Sequence, residues 1–158
     1  IPGQVGLEHR IGGLEKGEDG GVSYDPENHE EMSHLRAQKI AGISKSFGPT
    51  DISGEEKGDL LVIGWGGTYG AISSAVKNLR DEGFSISSIH LRHLNPLPDD
   101  LGTIIGNFKK VIVPELNLGQ LNLILRAKYL VDVISYSKLQ GKPFKVSELR
   151  EKFLEHLN

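Results

Sequence analysis

The chain has 158 residues, 37% of them apolar and 25% charged, a balance that suits one globular domain with an extension. Its net charge is −3 and its basic residues are scattered, which argues against a nucleic-acid footprint. No apolar run approaches the roughly 20 residues of a membrane span. It has no cysteine, which removes disulfides, thiolate metal sites, iron–sulfur ligation and thiol nucleophiles, and fits a reducing, cytoplasmic setting.

Residues 1–58 hold 11 of the 20 glycines and read as a loop-rich arm with one helix and a linker. The opening Ile1-Pro2-Gly3 lacks a methionine and reads as a piece of a longer or processed chain. An arm so rich in glycine needs a surface to lie on. Asp25-Pro26 starts a helix over about 26–41, with Glu27, Glu30 and Glu31 near its positive end and Arg36 and Lys39 near the other. Met32, Leu35, Ile40 and Ile43 give it a partial apolar stripe. Residues 44–58 are rich in Ser, Gly and Pro and read as a linker.

Residues 59–158 alternate strand and helix. Asp59–Trp65 is a continuous apolar strand, buried on both faces. A glycine-rich turn, Gly64–Gly70, leads to a helix over about 68–82, with Ala71, Ile72, Ala75, Val76 and Leu79 inward and Gly83 as its stop. A strand over 86–94 puts Ile89 and Leu91 on one face, His90 and Arg92 on the other. Asp99 or Asp100 caps a short helix through about Phe108, and a strand covers 111–115. Asn117 caps a helix to about Leu130, a strand covers 131–136, and a last helix over 146–157 turns Val146, Leu149, Phe153 and Leu157 to the sheet. The expected class is three-layer α/β/α with a mostly parallel sheet.

The turn Gly64-Trp65-Gly66-Gly67-Thr68-Tyr69-Gly70 joins strand to helix, where free N–H groups can hold an anion. It is not G-x-G-x-x-G, and the next strand ends His-Leu-Arg-His where a dinucleotide site wants an acid. The plain alternative is close packing of strand on helix. Alternation separates His93 from His90 and Arg92, so a single site using all three is awkward. His29 and His34 lie roughly 140° apart on their helix, poor metal geometry. No nucleophile elbow and no P-loop occur. Glu115, Asn117 and Gln120 sit where a strand gives way to a helix, the edge that ligands favour; capping is the competing account.

Several phrases carry more. Gly6-Leu7-Glu8-His9, Ser23-Tyr24-Asp25-Pro26-Glu27-Asn28-His29, Gly67-Thr68-Tyr69-Gly70-Ala71-Ile72, His90-Leu91-Arg92-His93-Leu94-Asn95-Pro96-Leu97-Pro98, Pro114-Glu115-Leu116-Asn117-Leu118-Gly119-Gln120-Leu121 and Lys138–Phe144 occur in that order. As a set they resemble the α subunits of 2-oxoacid:ferredoxin oxidoreductases, and the early phrases resemble the 2-oxoglutarate branch.

The resemblance implies a transketolase C-terminal-like domain at 59–158, often carrying one antiparallel strand. It implies a complete enzyme that uses thiamine diphosphate, an iron–sulfur cluster and coenzyme A, with ferredoxin as acceptor. The implied partners are a thiamine-binding β subunit and the rest of the α subunit, with γ and δ subunits as further candidates. No Gly-Asp-Gly thiamine motif occurs, so no cofactor, metal or catalytic residue is assigned to this stretch. Gly66, Gly67, Thr68, Tyr69, Arg92, Asn95, Glu115, Asn117 and Gln120 are candidate ligand or subunit contacts. The reading is an assembly domain whose arm drapes over a neighbouring subunit and whose isolated surface is partly apolar. An independent anion- or nucleotide-binding module built on Gly64–Gly70 is the alternative.

Overall fold

The computed structural model describes residues 3–8 and 12–157. The opening Ile1-Pro2, and His9 of the phrase Gly6–His9, lie outside them. Compact packing divides the chain at Ile43/Ser44, earlier in sequence than the composition shift at 58/59.

In the first unit, helix α1 spans Pro26–Gly42, and Asp25 caps it by accepting from the Glu27 N–H. None of α1 is buried, so the partial stripe of Leu35, Ile40 and Ile43 covers no core. What joins loop to helix here is polar. The Glu15 carboxylate receives both guanidinium nitrogens of Arg36 at 2.8 and 2.9 Å, and the Asn28 amide donates to the Lys16 carbonyl. Part of the surface that the glycine-rich arm needs is thus its own helix.

The second unit is one sheet of five strands: β1 (Ile52–Ser53), β2 (Gly58–Trp65), β3 (Ile86–Leu91), β4 (Phe108–Glu115) and β5 (Val133–Ser137). Their order is β1-β3-β2-β4-β5, with only β1 antiparallel. The first long strand is therefore the middle of the sheet. It pairs Leu60 with Ile86 on one side and with Lys110 on the other. Leu60, Leu61, Val62 and Ile63 have no exposed surface, each contributing about 1.5–3 kcal/mol of burial.

Alternation along β2 then sorts two cores. Leu60 and Val62 meet α2 (Tyr69–Asp81) and α5 (Val146–Leu157) through Ile72, Ala75, Leu79, Leu149 and Phe153. Leu61 and Ile63 meet α3 (Leu101–Gly106) and α4 (Gln120–Tyr129) through Leu101, Ile104, Leu121 and Leu125. The result is the expected three-layer α/β/α arrangement.

Several local expectations need correction. Residues 44–57 are no free linker: β1 lies in them, and the Thr50 N–H and hydroxyl both donate to Asp100, at 2.8 and 2.6 Å. Asp100 stands at the start of α3 but makes no capping bond, because its carboxylate is committed to Thr50. Strand β3 ends at Leu91, not 94. Strand β4 starts at Phe108, ahead of the apolar run, and exposes Lys109 and Lys110; Lys109 pairs with Asp59 of β2. Strand β5 starts at Val133 because Leu130 takes a left-handed conformation, φ 54°, that ends α4.

Candidate functional site

A doubly wound sheet takes ligands at the carboxyl ends of its strands, where the winding reverses. Here that point lies between β2 and β4, at Trp65 and Glu115. The Trp65 Nε1–H donates to the Glu115 carboxylate across 3.3 Å, which bridges the crevice. The same carboxylate, fully buried, accepts from the Leu121 and Asn122 N–H groups at 3.0 and 3.1 Å and from the Asn117 amide at 3.1 Å. Those two N–H groups are orphan donors of the first turn of α4. Glu115 is therefore the cap at α4's positive end, a role that sequence gave to Asn117. Asn117 instead turns the loop, accepting from the Gly119 and Gln120 N–H groups at 2.7 and 3.2 Å. Gly119 holds φ 86°, and a Cβ there would lie 2.9 Å from the Ser135 hydroxyl. Glu115, Asn117 and Gln120 are thus brought together, but Gln120 contributes its backbone and its side chain is exposed.

The glycine-rich turn divides by position. A Cβ on Gly64 would lie 2.6 Å from the Ile72 methyl, 3.1 Å from the Thr68 hydroxyl and 3.3 Å from His90 Nδ1, so this glycine lets strand meet helix. Gly66 and Gly67 are exposed, and a Cβ on either would meet nothing within 4 Å. Thr68 is buried, and its hydroxyl accepts from the Trp65 N–H and donates to the Trp65 carbonyl.

Tyr69 and Arg92 sit elsewhere, on a cleft of about 830 Å³ beside β3. Residues 46–53, pinned by the Thr50–Asp100 bonds, form one wall. Phe47 stacks on His93 with centroids 4.2 Å apart, and Tyr69 meets His90 edge-on at 5.0 Å. Ser88 completes the floor. His90, Arg92 and His93 all border this one space. The expected separation of His93 fails because the strand, and with it the alternation, stops at Leu91. Burial, then the neighbouring Arg92 charge, pushes the His90 pKa down, against a Gly66 backbone bond that raises it. Asn95 is exposed and outside the cleft, at the cis Asn95–Pro96 bond. Sequence reasoning missed Phe47 and Ser88; the wall carrying Phe47 comes from residues that resemble a linker.

Among the described residues no group of three or more His, Asp or Glu could hold a metal ion, and the chain has no cysteine. Its donors do not fit an iron–sulfur cluster, which thiolates hold. No described helix is long and apolar enough to cross a membrane.

Residues 58–149 match the pyruvate:ferredoxin oxidoreductase core domain II. The chain belongs to that family. This core domain II sequence is 48% identical over 151 residues to the 2-oxoglutarate oxidoreductase subunit KorA of Mycobacterium tuberculosis, covering 94% of this chain and 23% of the relative. A 2-oxoglutarate:ferredoxin oxidoreductase from Magnetococcus marinus, solved with 2-oxoglutarate, coenzyme A and succinyl-CoA bound, superposes with a TM-score of 0.92 at 32% identity. That match covers 99% of this chain and 28% of the other. An inactive β4 tetramer of a split-gene transketolase shares the fold alone, with a TM-score of 0.53 at 17% identity over 70% of this chain and 42% of that one. The domain thus has the transketolase-like architecture expected of it, and it spans less than a third of the M. tuberculosis and M. marinus chains it matches.

Proposed function

We propose that this chain is the non-catalytic C-terminal domain of the α subunit of a 2-oxoglutarate:ferredoxin oxidoreductase, serving subunit assembly and support of the thiamine site. The complete enzyme would convert 2-oxoglutarate, coenzyme A and oxidised ferredoxin to succinyl-CoA, carbon dioxide and reduced ferredoxin in the cytoplasm. The thiamine diphosphate would lie with a β subunit and the upstream α domain, and the cluster on cysteines that other segments supply. The observation that carries this reading is the 48% identity to a KorA subunit across nearly the whole chain.

The surface supports an assembly role. No described residue before Ser44 is buried, so the first unit has no apolar core and gains little from folding by itself. Around α4, Leu118, Leu123 and Leu130 are 76%, 65% and 90% exposed, and Leu116 and Ile124 in the same segment are exposed too. Apolar side chains gathered in one short segment suit a protein interface. Gly66, Gly67, Tyr69, Arg92, Asn95 and Gln120 are the exposed members of the candidate contact set; Thr68 holds the turn with Gly66 and Gly67, and Glu115 and Asn117 hold the loop before Gln120.

The test is reconstitution. The full α subunit, and a version lacking this segment, are co-expressed with the β subunit and assayed for 2-oxoglutarate-dependent reduction of ferredoxin. Loss of assembly or turnover on deletion is expected. Intact assembly with normal turnover would refute the proposal.

A further inference from the structure

The cleft beside β3 carries Tyr69 and Arg92 of the contact set, and its chemistry also suits a small ligand. Its volume, about 830 Å³, falls in the range of small-molecule sites. Three basic side chains border it: Arg92, His90 and His93. Three other arginines of the chain each hold a carboxylate: Arg36 with Glu15, Arg126 with Asp132 and Arg150 with Glu82. Arg92, like the exposed Arg80 of α2, has no ion pair or side-chain hydrogen bond among the described residues, and Arg92 is the one of the two that borders the cleft. A planar guanidinium left open at a concave wall is suited to a two-pronged oxyanion.

A second, independent observation points the same way. Ser88 is only 5% exposed, yet its hydroxyl makes no hydrogen bond to the protein among the described residues, and it borders the cleft. Among the described residues the one fully buried side-chain polar atom without a partner is His156 Nε2, so the unbonded Ser88 hydroxyl keeps an opening to the cleft. It faces the space that a ligand would fill, on the strand that carries His90. Phe47, stacked on His93, and the exposed Tyr69, edge-on to His90, add aromatic surface beside these polar groups. The Thr50–Asp100 bonds hold the Phe47 wall in place, so the cleft is pre-shaped.

We infer that this cleft binds a small ligand through an oxyanion, phosphate or carboxylate, held by Arg92 with His90 and the Ser88 hydroxyl, with Phe47 and Tyr69 flanking its body. The site shares Tyr69 with the glycine-rich turn but uses none of its glycines, nor the Glu115 cap. Binding adds a counter-charge beside the Arg92 guanidinium, and it occupies a hydroxyl the fold leaves open.

The experiment is a titration of the 158-residue chain with inorganic phosphate and, separately, with malonate at constant ionic strength, followed by the imidazole resonances in NMR. His29 and His34, on α1, serve as internal controls. Saturable shifts at His90 and His93, with the controls unmoved, are expected for at least one probe; the probe that saturates assigns the oxyanion as phosphoryl or carboxylate. Arg92→Ala weakens binding roughly tenfold or more, and Ser88→Ala weakens it several-fold. Arg92 is exposed, so its replacement leaves the urea midpoint unchanged, while Arg92→Lys recovers only part of the affinity. Linear shifts shared by His90, His93, His29 and His34 alike, no shift at all, or undiminished binding by Arg92→Ala would each overturn the inference. Subunit reconstitution is read separately, so either proposal can fail alone.

Discussion

Glu115 and Trp65 close the switch point of the sheet with one hydrogen bond of 3.3 Å between an indole N–H and a carboxylate that no solvent reaches. The carboxylate also serves the first turn of α4, so one side chain ties β2, β4 and a helix. Glu115→Ala leaves those donors without a partner and costs about 3–5 kcal/mol. Glu115→Gln keeps the shape but turns an amide N–H toward a donor, and costs about 1–3 kcal/mol. Urea denaturation checks both, read by the fluorescence of Trp65, the only tryptophan.

Gly64 and Gly67 belong to one turn but answer differently to a methyl group. Gly64→Ala drives Cβ into the Ile72 methyl at 2.6 Å and lowers stability by about 1–3 kcal/mol. Gly67→Ala meets nothing within 4 Å and stays within about 0.5 kcal/mol of the parent. Paired urea midpoints separate a packing role for the turn from one that is uniform along it.

Asp100→Ala removes the acceptor for both Thr50 donors and costs about 1–3 kcal/mol. The loss is local. Hydrogen exchange accelerates at residues 47–53, while the amides of β2 and β4 keep their protection.

The Glu15 carboxyl is held down to about 2 from an ordinary 4.5, chiefly by hydrogen bonds from Arg36, with Lys16 and His29 adding to it and desolvation opposing. A carboxyl depressed on folding contributes stability above its unfolded pKa and loses it as pH falls through the folded one. The contact between residues 13–17 and α1 therefore weakens from about pH 4.5 down to about pH 2. Carbon-detected NMR of the Glu15 carboxyl follows it, and Arg36→Ala moves the titration back up.

Leu130 is 90% exposed and sits at φ 54°, where a glycine is at ease and a leucine is not. Leu130→Gly raises the stability of the isolated chain by about 0.5–1 kcal/mol. Under the proposed assembly role it also lowers affinity for the partner subunit. Thermal melting and co-purification should move in opposite senses.

The sequence was most legible where one local signal sufficed. Four aliphatics in a row give β2 both its burial and its central place, and Asp25-Pro26 marks the first turn of α1 within a residue. It was least legible where the deciding partner is remote. Two-residue β1 has no periodicity and exists by pairing Ile52 with Ile89. Asp100 resembles a helix cap, but Thr50, fifty residues away, takes its oxygens. Glu115 reaches past Asn117 to the α4 amides because a strand end can extend a carboxylate over the next turn, which spacing alone does not reveal. The cleft stayed hidden because alternation was carried past Leu91, where the backbone had already left the sheet.

The central position of β2 bears on synthesis. Leu60–Ile63 emerge from the ribosome as four bare aliphatics whose neighbours on both sides are not yet made. Their flanks are complete only when Glu115 follows, about 50 residues and roughly 3–10 s later. For that interval the nascent chain carries an unprotected sticky tetrapeptide. Glu55, Glu56, Lys57 and Asp59 stand directly before it, charged gatekeepers of the kind that keep such segments from pairing with one another.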